Sequence, residues 1–170
     1  IATFKAQTLA ELTGGGKTGS SEGFGALLAS LKGGAAAVES AAGSSGVYVP
    51  FPVAAGDLAA AMEGLFAAGV AGLNVTVPHK EAAARLCVAL RPRARACGAA
   101  NTLIRSARGW VGDNTDGAGL LASLAEHRFD GRGKNVLLIG AGGSARSVAH
   151  AFTRTGARLL IVANRTPKRA

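Results

Sequence analysis

The sequence predicts an α/β protein made of two successive units, and two patterns of alternating elements carry this prediction. Residues 47–90 alternate as strand, helix, strand and helix, which is typical of a βαβ unit. Residues 135–163 form a strand, a glycine-rich turn, a helix and a second strand. A Gly/Ala/Ser-rich segment at 1–46 precedes both, so we predict boundaries of 47–128 for the first unit and 129–170 for the second.

Composition argues against several classes of protein. Hydrophobic residues make up 48% of the 170, enough for a packed core, and there is no run of about 18 uncharged apolar residues that would indicate a membrane span. The net charge of +9 is spread over small basic groups, and aromatic residues are only 5%, so stacking platforms for nucleic acid are scarce. Cys87 and Cys97 lack companions at metal-ligand spacing. We therefore expect no membrane, nucleic-acid or metal partner, and two free thiols.

The N-terminal half predicts short elements separated by glycine and proline. Residues 1–13 predict a short helix, and residues 24–31 a helical turn or two within a loop-like stretch. The prolines of Val47–Val53 suit an edge strand or a strand end. A helix at Leu58–Ala68, a buried strand at Leu73–Val77 and a helix at Lys80–Leu90 follow.

The C-terminal half has a clearer pattern of strands and helices. Asn114–Asp116 stands where a helix cap is expected. The predicted elements are strands at Ala99–Arg105 and Gly109–Val111, a helix at Gly117–Glu126, a strand at Asn135–Ile139, a helix at Arg146–Thr155 and a strand at Arg158–Ala163.

The turn after Ile139 matches the dinucleotide motif G-x-G-x-x-A. The first glycine permits the tight turn, the second lets the backbone approach a pyrophosphate, and the small last residue allows close helix–strand packing. Because the motif lies between a strand and a helix, whose first N–H groups would face the phosphates, it predicts a Rossmann nucleotide site. Its residues are Gly140, Ala141, Gly142, Gly143, Ser144 and Ala145.

The residues after the second strand of this unit favour NADP over NAD. An NAD site usually carries Asp or Glu there to bind the ribose hydroxyls. This sequence has Asn164 and Arg165 instead, with Lys168 nearby. An arginine can bind a 2′-phosphate through its planar guanidinium.

Lys80 and Asp116 are candidates for proton transfer. An enzyme that transfers hydride from an alcohol needs a positioned group for the hydroxyl proton. A Tyr-x-x-x-Lys pair is excluded, because the only tyrosine is Tyr48 and Pro52 follows four residues later. Lys80 follows a predicted buried strand, at the edge where ligands bind in α/β sheets. From the residues alone, a solvated lysine at a helix start remains the alternative.

Five segments in order resemble the shikimate dehydrogenase family, and the resemblance covers about residues 47–170. It implies a βαβ-type substrate domain followed by the beginning of a Rossmann NADP-binding domain, truncated at its C-terminus. The segments are Asn74-Val-Thr-Val-Pro-His-Lys80, Gly98-Ala-Ala-Asn-Thr102, Gly112-Asp-Asn-Thr-Asp-Gly117, Gly140-Ala-Gly-Gly-Ser-Ala-Arg146 and Asn164-Arg-Thr166.

The resemblance also implies a reaction and the residues that perform it. The reaction is NADPH-dependent reduction of 3-dehydroshikimate to shikimate in chorismate biosynthesis, by a monomer or homodimer in the bacterial cytoplasm or in plastids. Lys80 and Asp116 match the family's catalytic pair. The residues that match its substrate site are Asn74, Thr76 and Asn101, and those that match its NADP site are the glycine turn with Asn164, Arg165 and Thr166.

The sequence departs from the family at both ends. The family's serine segment, which binds the substrate carboxylate, is not reproduced in residues 1–46, and the chain stops at Ala170 after two Rossmann strands. Two alternatives therefore stay open: a quinate dehydrogenase-like relative, and a truncated homologue without activity.

Overall fold

The computed structural model describes residues 2–6, 36–39, 45–166 and 168, with side chains from Val49 onward. The helical turn predicted at residues 24–31 lies outside the described residues. The short helix predicted over 1–13 is wrong where the chain is described, because Ala2–Ala6 forms a strand. This strand pairs with a neighbour on each side, and hydrogen bonds to two partners outweigh a weak local helical tendency.

The described elements are numbered here in chain order. The strands are β1 (Ala2–Ala6), β2 (Ala36–Glu39), β3 (Ser45–Phe51), β4 (Gly72–Asn74), β5 (Ala89–Leu90), β6 (Thr102–Ser106), β7 (Gly109–Asp113), β8 (Asn135–Ile139) and β9 (Leu159–Ala163). The helices are α1 (Leu58–Ala67), α2 (Lys80–Leu86), α3 (Pro92–Cys97), α4 (Asp116–Glu126) and α5 (Gly143–Thr155).

Strands β1 to β7 form one mixed sheet in the order β2-β3-β1-β4-β6-β7-β5. Both β3 and β4 run antiparallel to β1, which lies between them, so the β3–α1–β4 connection joins two parallel strands with a third inserted. The predicted βαβ unit is therefore present in modified form. Most neighbouring strands in this sheet are antiparallel, and β5 pairs in parallel with β7.

Two of the predicted elements end earlier than expected. Strand β4 stops at Asn74 instead of Val77, and α2 stops at Leu86 instead of Leu90. The chain leaves α2 to run along β7, where Val88 N–H donates to the carbonyl of Trp110. Helix α3, which the sequence did not predict, then begins with proline at its first turn, a favoured position.

Strands β8 and β9 form a separate parallel pair joined by α5, which confirms the predicted strand–turn–helix–strand unit. The core of the first unit lies between its sheet and α1 to α3, and includes Leu73, Leu103 and Trp110. The indole N–H of Trp110 donates to the carbonyl of Met62 at 2.9 Å. Within the described ranges, no helix is both long and apolar enough to cross a membrane.

Candidate active site

The register of the large sheet brings the predicted site segments together. Asn74 at the end of β4 lies opposite Thr102 at the start of β6, and Thr102 lies opposite Asp113 at the end of β7. The segments that leave this edge therefore meet above it. Lys80 follows β4 and begins α2, while Asp116 follows β7 and begins α4.

Lys80 and Asp116 form an ion pair at this edge. The Lys80 Nζ lies 2.7 Å from Asp116 Oδ2, and the two side chains are only 12% and 19% exposed. A surface lysine at a helix start would be solvated, so this burial argues against the solvated alternative for Lys80. The pair is held in a fixed geometry and still opens to solvent, as a proton-transferring group requires.

The turn that carries Lys80 is fastened on both sides. Val75 N–H donates to the carbonyl of Asn101, and Ala100 N–H donates to the carbonyl of Lys80 itself. His79 is 2% exposed, and its Nε2 lies 2.9 Å from the carbonyl oxygen of Val53. His79 therefore anchors the turn to the chain before α1, and Lys80 emerges from a rigid base.

Asp116 is held by two asparagines. The Asn101 amide donates to Asp116 Oδ1 at 2.6 Å, and the Asp116 N–H donates to Asn114 Oδ1 at 3.1 Å. Asn114 is fully buried and also donates to the carbonyl of Ala99 at 2.9 Å. Burial alone would raise the pKa of Asp116, but hydrogen bonds from Lys80, Ser144 and Asn101 outweigh it and hold the pKa below its usual value.

The buried carboxylate of Asp113 supports the loop that carries Asp116. Asp113 accepts a hydrogen bond from Arg93 at 2.9 Å and lies 3.6 Å from Arg91. Its Oδ1 also accepts from the N–H of Asn114 at 2.7 Å. Asp113 therefore ties α3 to the loop that positions Asp116.

The three predicted substrate residues differ in their placement. Asn101 contacts Asp116 and also donates to Thr115 Oγ1 at 3.0 Å. Asn74 and Thr76 are exposed; Asn74 ends β4, and Thr76 lies between β4 and Lys80. The structure thus brings Asn101 to the ion pair and sets Asn74 and Thr76 at the same sheet edge. Their roles in binding a substrate stay predictions.

The glycine turn has an open surface. Gly140 has φ +119°, a conformation that favours glycine, and its N–H donates to the carbonyl of Ala163 at 2.7 Å. A methyl group added at Gly140 or Gly142 would meet no described atom within 4 Å, whereas Ala141 is buried. No side chain of the described residues caps the first turn of α5. Its backbone N–H groups can therefore bind an anion.

The glycine turn and Lys80 of the ion pair line one cleft. Its volume is about 320 Å³, and its lining residues are Val77, Pro78, Lys80, Glu81, Gly142, Gly143, Ser144 and Ala145. A Cβ at Gly143 would lie 2.9 Å from the Cβ of Ala99, so glycine is needed for this close approach of the two units.

Asn164, Arg165 and Thr166 leave β9 at the same edge as the glycine turn, because β8 and β9 are parallel. The Asn164 amide donates to the carbonyl of Thr166 at 2.9 Å, and Arg165 and Thr166 are exposed. Arg165 is thus exposed at the sheet edge that carries the glycine turn, and a guanidinium can bind a 2′-phosphate.

Sequence reasoning missed several polar contacts. It counted Arg91 and Arg93 only in one of the chain's small basic groups, and it gave Asp113 no role although the residue lies inside a quoted motif. It also placed Ser144 only in the nucleotide site, whereas Ser144 Oγ lies 2.7 Å from Lys80 Nζ. For Asp113, the sequence did offer a signal, because this residue stands three positions before Asp116 in the same segment.

Cys87 and Cys97 are free thiols, and burial raises the pKa of Cys87 to about 11. In the part of the chain that the structure describes, no three His, Cys, Asp or Glu side chains come together as a metal site.

The fold and the cleft define an α/β protein of the Rossmann class in which a lysine–aspartate pair faces the glycine turn. Residues 35–103 match the shikimate dehydrogenase substrate binding domain, and residues 123–170 match the shikimate/quinate 5-dehydrogenase family. The chain belongs to the shikimate dehydrogenase family.

Similar proteins extend beyond this chain. The NADP(+)-dependent shikimate dehydrogenase of Moorella thermoacetica is 51% identical over 130 residues, which are 76% of this chain and 44% of that protein. The Thermus thermophilus shikimate 5-dehydrogenase, solved with NADP(H) and shikimate, is 35% identical with a TM-score of 0.63, over 69% of this chain and 44% of that one. The 5-ketofructose reductase of Gluconobacter is 36% identical with a TM-score of 0.61, over 71% and 43%. The chain thus spans less than half the length of these relatives.

Proposed function

We propose that this chain carries the proton-transfer site of an NADP-dependent shikimate dehydrogenase, which reduces 3-dehydroshikimate to shikimate in chorismate biosynthesis. The observation that carries the proposal is the sheltered Lys80–Asp116 pair, with 2.7 Å between Nζ and Oδ2, whose lysine lines one cleft with the glycine turn. The names of the similar NADP(+)-dependent shikimate dehydrogenases support the substrate and the cofactor.

The chemistry assigned to the pair follows from its charges. Reduction of a ketone leaves negative charge on the oxygen, and an ammonium group beside that oxygen stabilises the charge and donates the proton. Lys80 is the group proposed for this step. Asp116 holds the Lys80 ammonium in place, and its second oxygen is held by Asn101. In the oxidative direction, the same pair accepts the hydroxyl proton.

The nucleotide site is proposed on the open glycine turn. NADPH, when bound, supplies the hydride. The N–H groups of the first turn of α5 would hold the pyrophosphate, and Arg165 would hold the 2′-phosphate. The uncapped start of α5 and the open space over Gly140 and Gly142 fit such a group. The substrate hydroxyls are assigned to Asn74, Thr76 and Asn101.

A second candidate is a relative that reduces a different polyhydroxylated ketone. The matched family includes quinate dehydrogenases, and a ketofructose reductase shares 36% identity and the fold with this chain. The same proton-transfer pair would serve either substrate. The family's substrate-carboxylate serines are not reproduced in residues 1–46, which keeps this candidate open.

An activity assay on the 170-residue chain tests the proposal. Purified protein is given shikimate with NADP, and separately quinate with NAD, and nicotinamide reduction is followed at 340 nm. We expect turnover with the first combination and a loss of about 10²–10⁴-fold in kcat for Lys80→Met, since positioned proton transfer contributes that much. The matched control is Lys134→Met, a lysine outside the cleft.

The outcomes separate the candidates. Full activity of Lys80→Met with a retained fold contradicts the role of Lys80, and a preference for quinate supports the second candidate. Absence of both turnover and NADP binding by calorimetry supports the remaining reading, a homologue without activity.

A further inference from the structure

An ion pair between Arg146 and Glu81 crosses the junction between the two units, where α5 packs against α3 and α4. Arg146 stands in the first turn of α5 and Glu81 in the first turn of α2, with 3.4 Å between Nη2 and Oε1. The two side chains are 41% and 27% exposed. Because partly exposed pairs contribute little to folding stability, the place of these charges in the molecule matters more than the strength of the pair.

Glu81 brings a negative charge to the cleft. The residue lines the cleft together with Lys80 and the glycine turn. A carboxylate in the first turn of a helix is favoured by the helix dipole, which gives Glu81 a local role directly after Lys80. The same carboxylate is unfavourable for a phosphate group on the glycine turn, because like charges repel.

Arg146 offsets this charge from the α5 side. Besides pairing with Glu81, its guanidinium lies against Gly98, where an added Cβ would be 3.6 Å from Nη1. Gly98 ends α3 with φ +61°, a conformation that favours glycine. The arginine therefore contacts both α2 and the end of α3, and these contacts keep its positive charge beside Glu81.

The charged groups at this place balance one another in two pairs. Lys80 pairs with Asp116 at 2.7 Å, and Glu81 pairs with Arg146. Removal of the Arg146 charge would leave these groups with a net negative charge beside the glycine turn. A pyrophosphate is itself negatively charged, so the turn would then accept it less readily.

We propose that Arg146 is a positioning residue of the nucleotide site, which neutralises Glu81 and thereby allows the glycine turn to accept a pyrophosphate. Arg146 acts through Glu81 and not by touching the nucleotide. The inference rests on the proposed nucleotide site and adds to it a residue outside the G-x-G-x-x-A motif. A direct phosphate ligand, or a purely structural tie between the units, would respond differently when the charge of Glu81 is removed.

Calorimetry of NADP binding by the 170-residue chain tests this charge balance. We expect Arg146→Met to raise the Kd about fivefold in dilute salt and less than about twofold near 0.5 M salt, where charges are screened. Glu81→Gln alone should not weaken binding, and the double variant should return to within about twofold of the parent. The matched control is Arg154→Met, an exposed arginine of α5 outside the cleft, which should leave the Kd nearly unchanged.

The other outcomes each overturn the inference. If Arg146 were only a tie between the units, Glu81→Gln would weaken binding as much as Arg146→Met. If Arg146 contacted the phosphate directly, the loss would persist in the double variant. Either result, or parent-like binding by Arg146→Met, contradicts the charge balance and leaves the nucleotide site standing. If the parent chain binds no NADP, the proposed nucleotide site fails, and the role of Arg146 fails with it.

Discussion

The two units of this chain differ in how their apolar side chains are covered. In the first unit, the core is closed between the sheet and the helices, and Leu103 is 1% exposed. In the second, one face of the β8–β9 pair is open within the described structure, with Leu137 59% and Ile139 86% exposed. The second unit packs against the first through its helix α5, which contacts α4 and α3 of the first unit.

This difference has a functional consequence. The ion pair has its own rigid base in the first unit, built from His79, Asn101 and Asn114. The glycine turn has one described backbone hydrogen bond to its own unit, from Gly140 N–H to the carbonyl of Ala163, and at Gly143 it packs closely against Ala99 and Lys80 of the first unit. On the proposed function, geometry at the junction would set whether a nucleotide on the glycine turn can reach the Lys80–Asp116 pair, and a variant there is expected to act on both.

The largest expected effect on the free energy of unfolding comes from a comparison of one leucine from each unit. Leu103→Ala removes a buried side chain and is expected to lower the free energy of unfolding by about 2–5 kcal/mol. Leu137→Ala, on the open face, is expected to stay within about 0.5 kcal/mol. Urea unfolding followed by fluorescence of Trp110, the sole tryptophan, measures both. Equal losses would contradict the contrast between the two units.

Much of the site was predictable because it depends on local motifs. The glycine turn, Lys80, Asp116 and Asn101 each stand in a short segment whose order along the chain matches a known family, and the strand–helix–strand of the second unit has strong local periodicity. The placement of Lys80 beside Asp116 was predicted by resemblance alone. In the structure it follows from the register that sets Asn74, Thr102 and Asp113 in one row.

The remaining features depend on contacts between distant parts of the chain. The strand at Ala2–Ala6 forms because two neighbours pair with it, and α3 forms after a segment that runs along β7. The bridge from Ser144 to Lys80 spans 64 residues of sequence. No local pattern carries such information, so these features required the structure.

A smaller effect on stability is expected at Gly117, a glycine of α4 that lies against α5. Gly117→Ala places a Cβ 2.4 Å from the carbonyl oxygen of Ser147 and 2.8 Å from Ala151, so α5 must shift. Overpacking of this kind costs about 1–3 kcal/mol. We expect a lower melting temperature and faster amide exchange in α5.

Gly119→Ala is the matched control on the same helix. Its added Cβ meets no described atom within 4 Å, and replacing a helical glycine by alanine is expected to stabilise by about 0.5–1 kcal/mol. The role assigned to the junction fails if Gly117→Ala leaves exchange in α5 as slow as in the parent.

The smallest expected effect concerns Asp113, which supports the site from the first unit. Burial alone would raise the pKa of Asp113, but Arg93, with Arg91 nearby, holds it below its usual value. A depressed pKa in the folded state contributes stability above the unfolded pKa, near 4, and that stability is lost as the pH falls through the folded pKa. Both arginines are half exposed, which limits the contribution to about 1 kcal/mol.

Asp113→Asn should therefore lower the free energy of unfolding at pH 7 and flatten its decline below pH 4. Urea unfolding at a series of pH values measures both effects. Asp130→Asn, on an exposed loop, is the control and should retain the parent profile. A parent-like decline in Asp113→Asn would mean that the acid sensitivity arises elsewhere, with Asp116 as the next carboxylate to test.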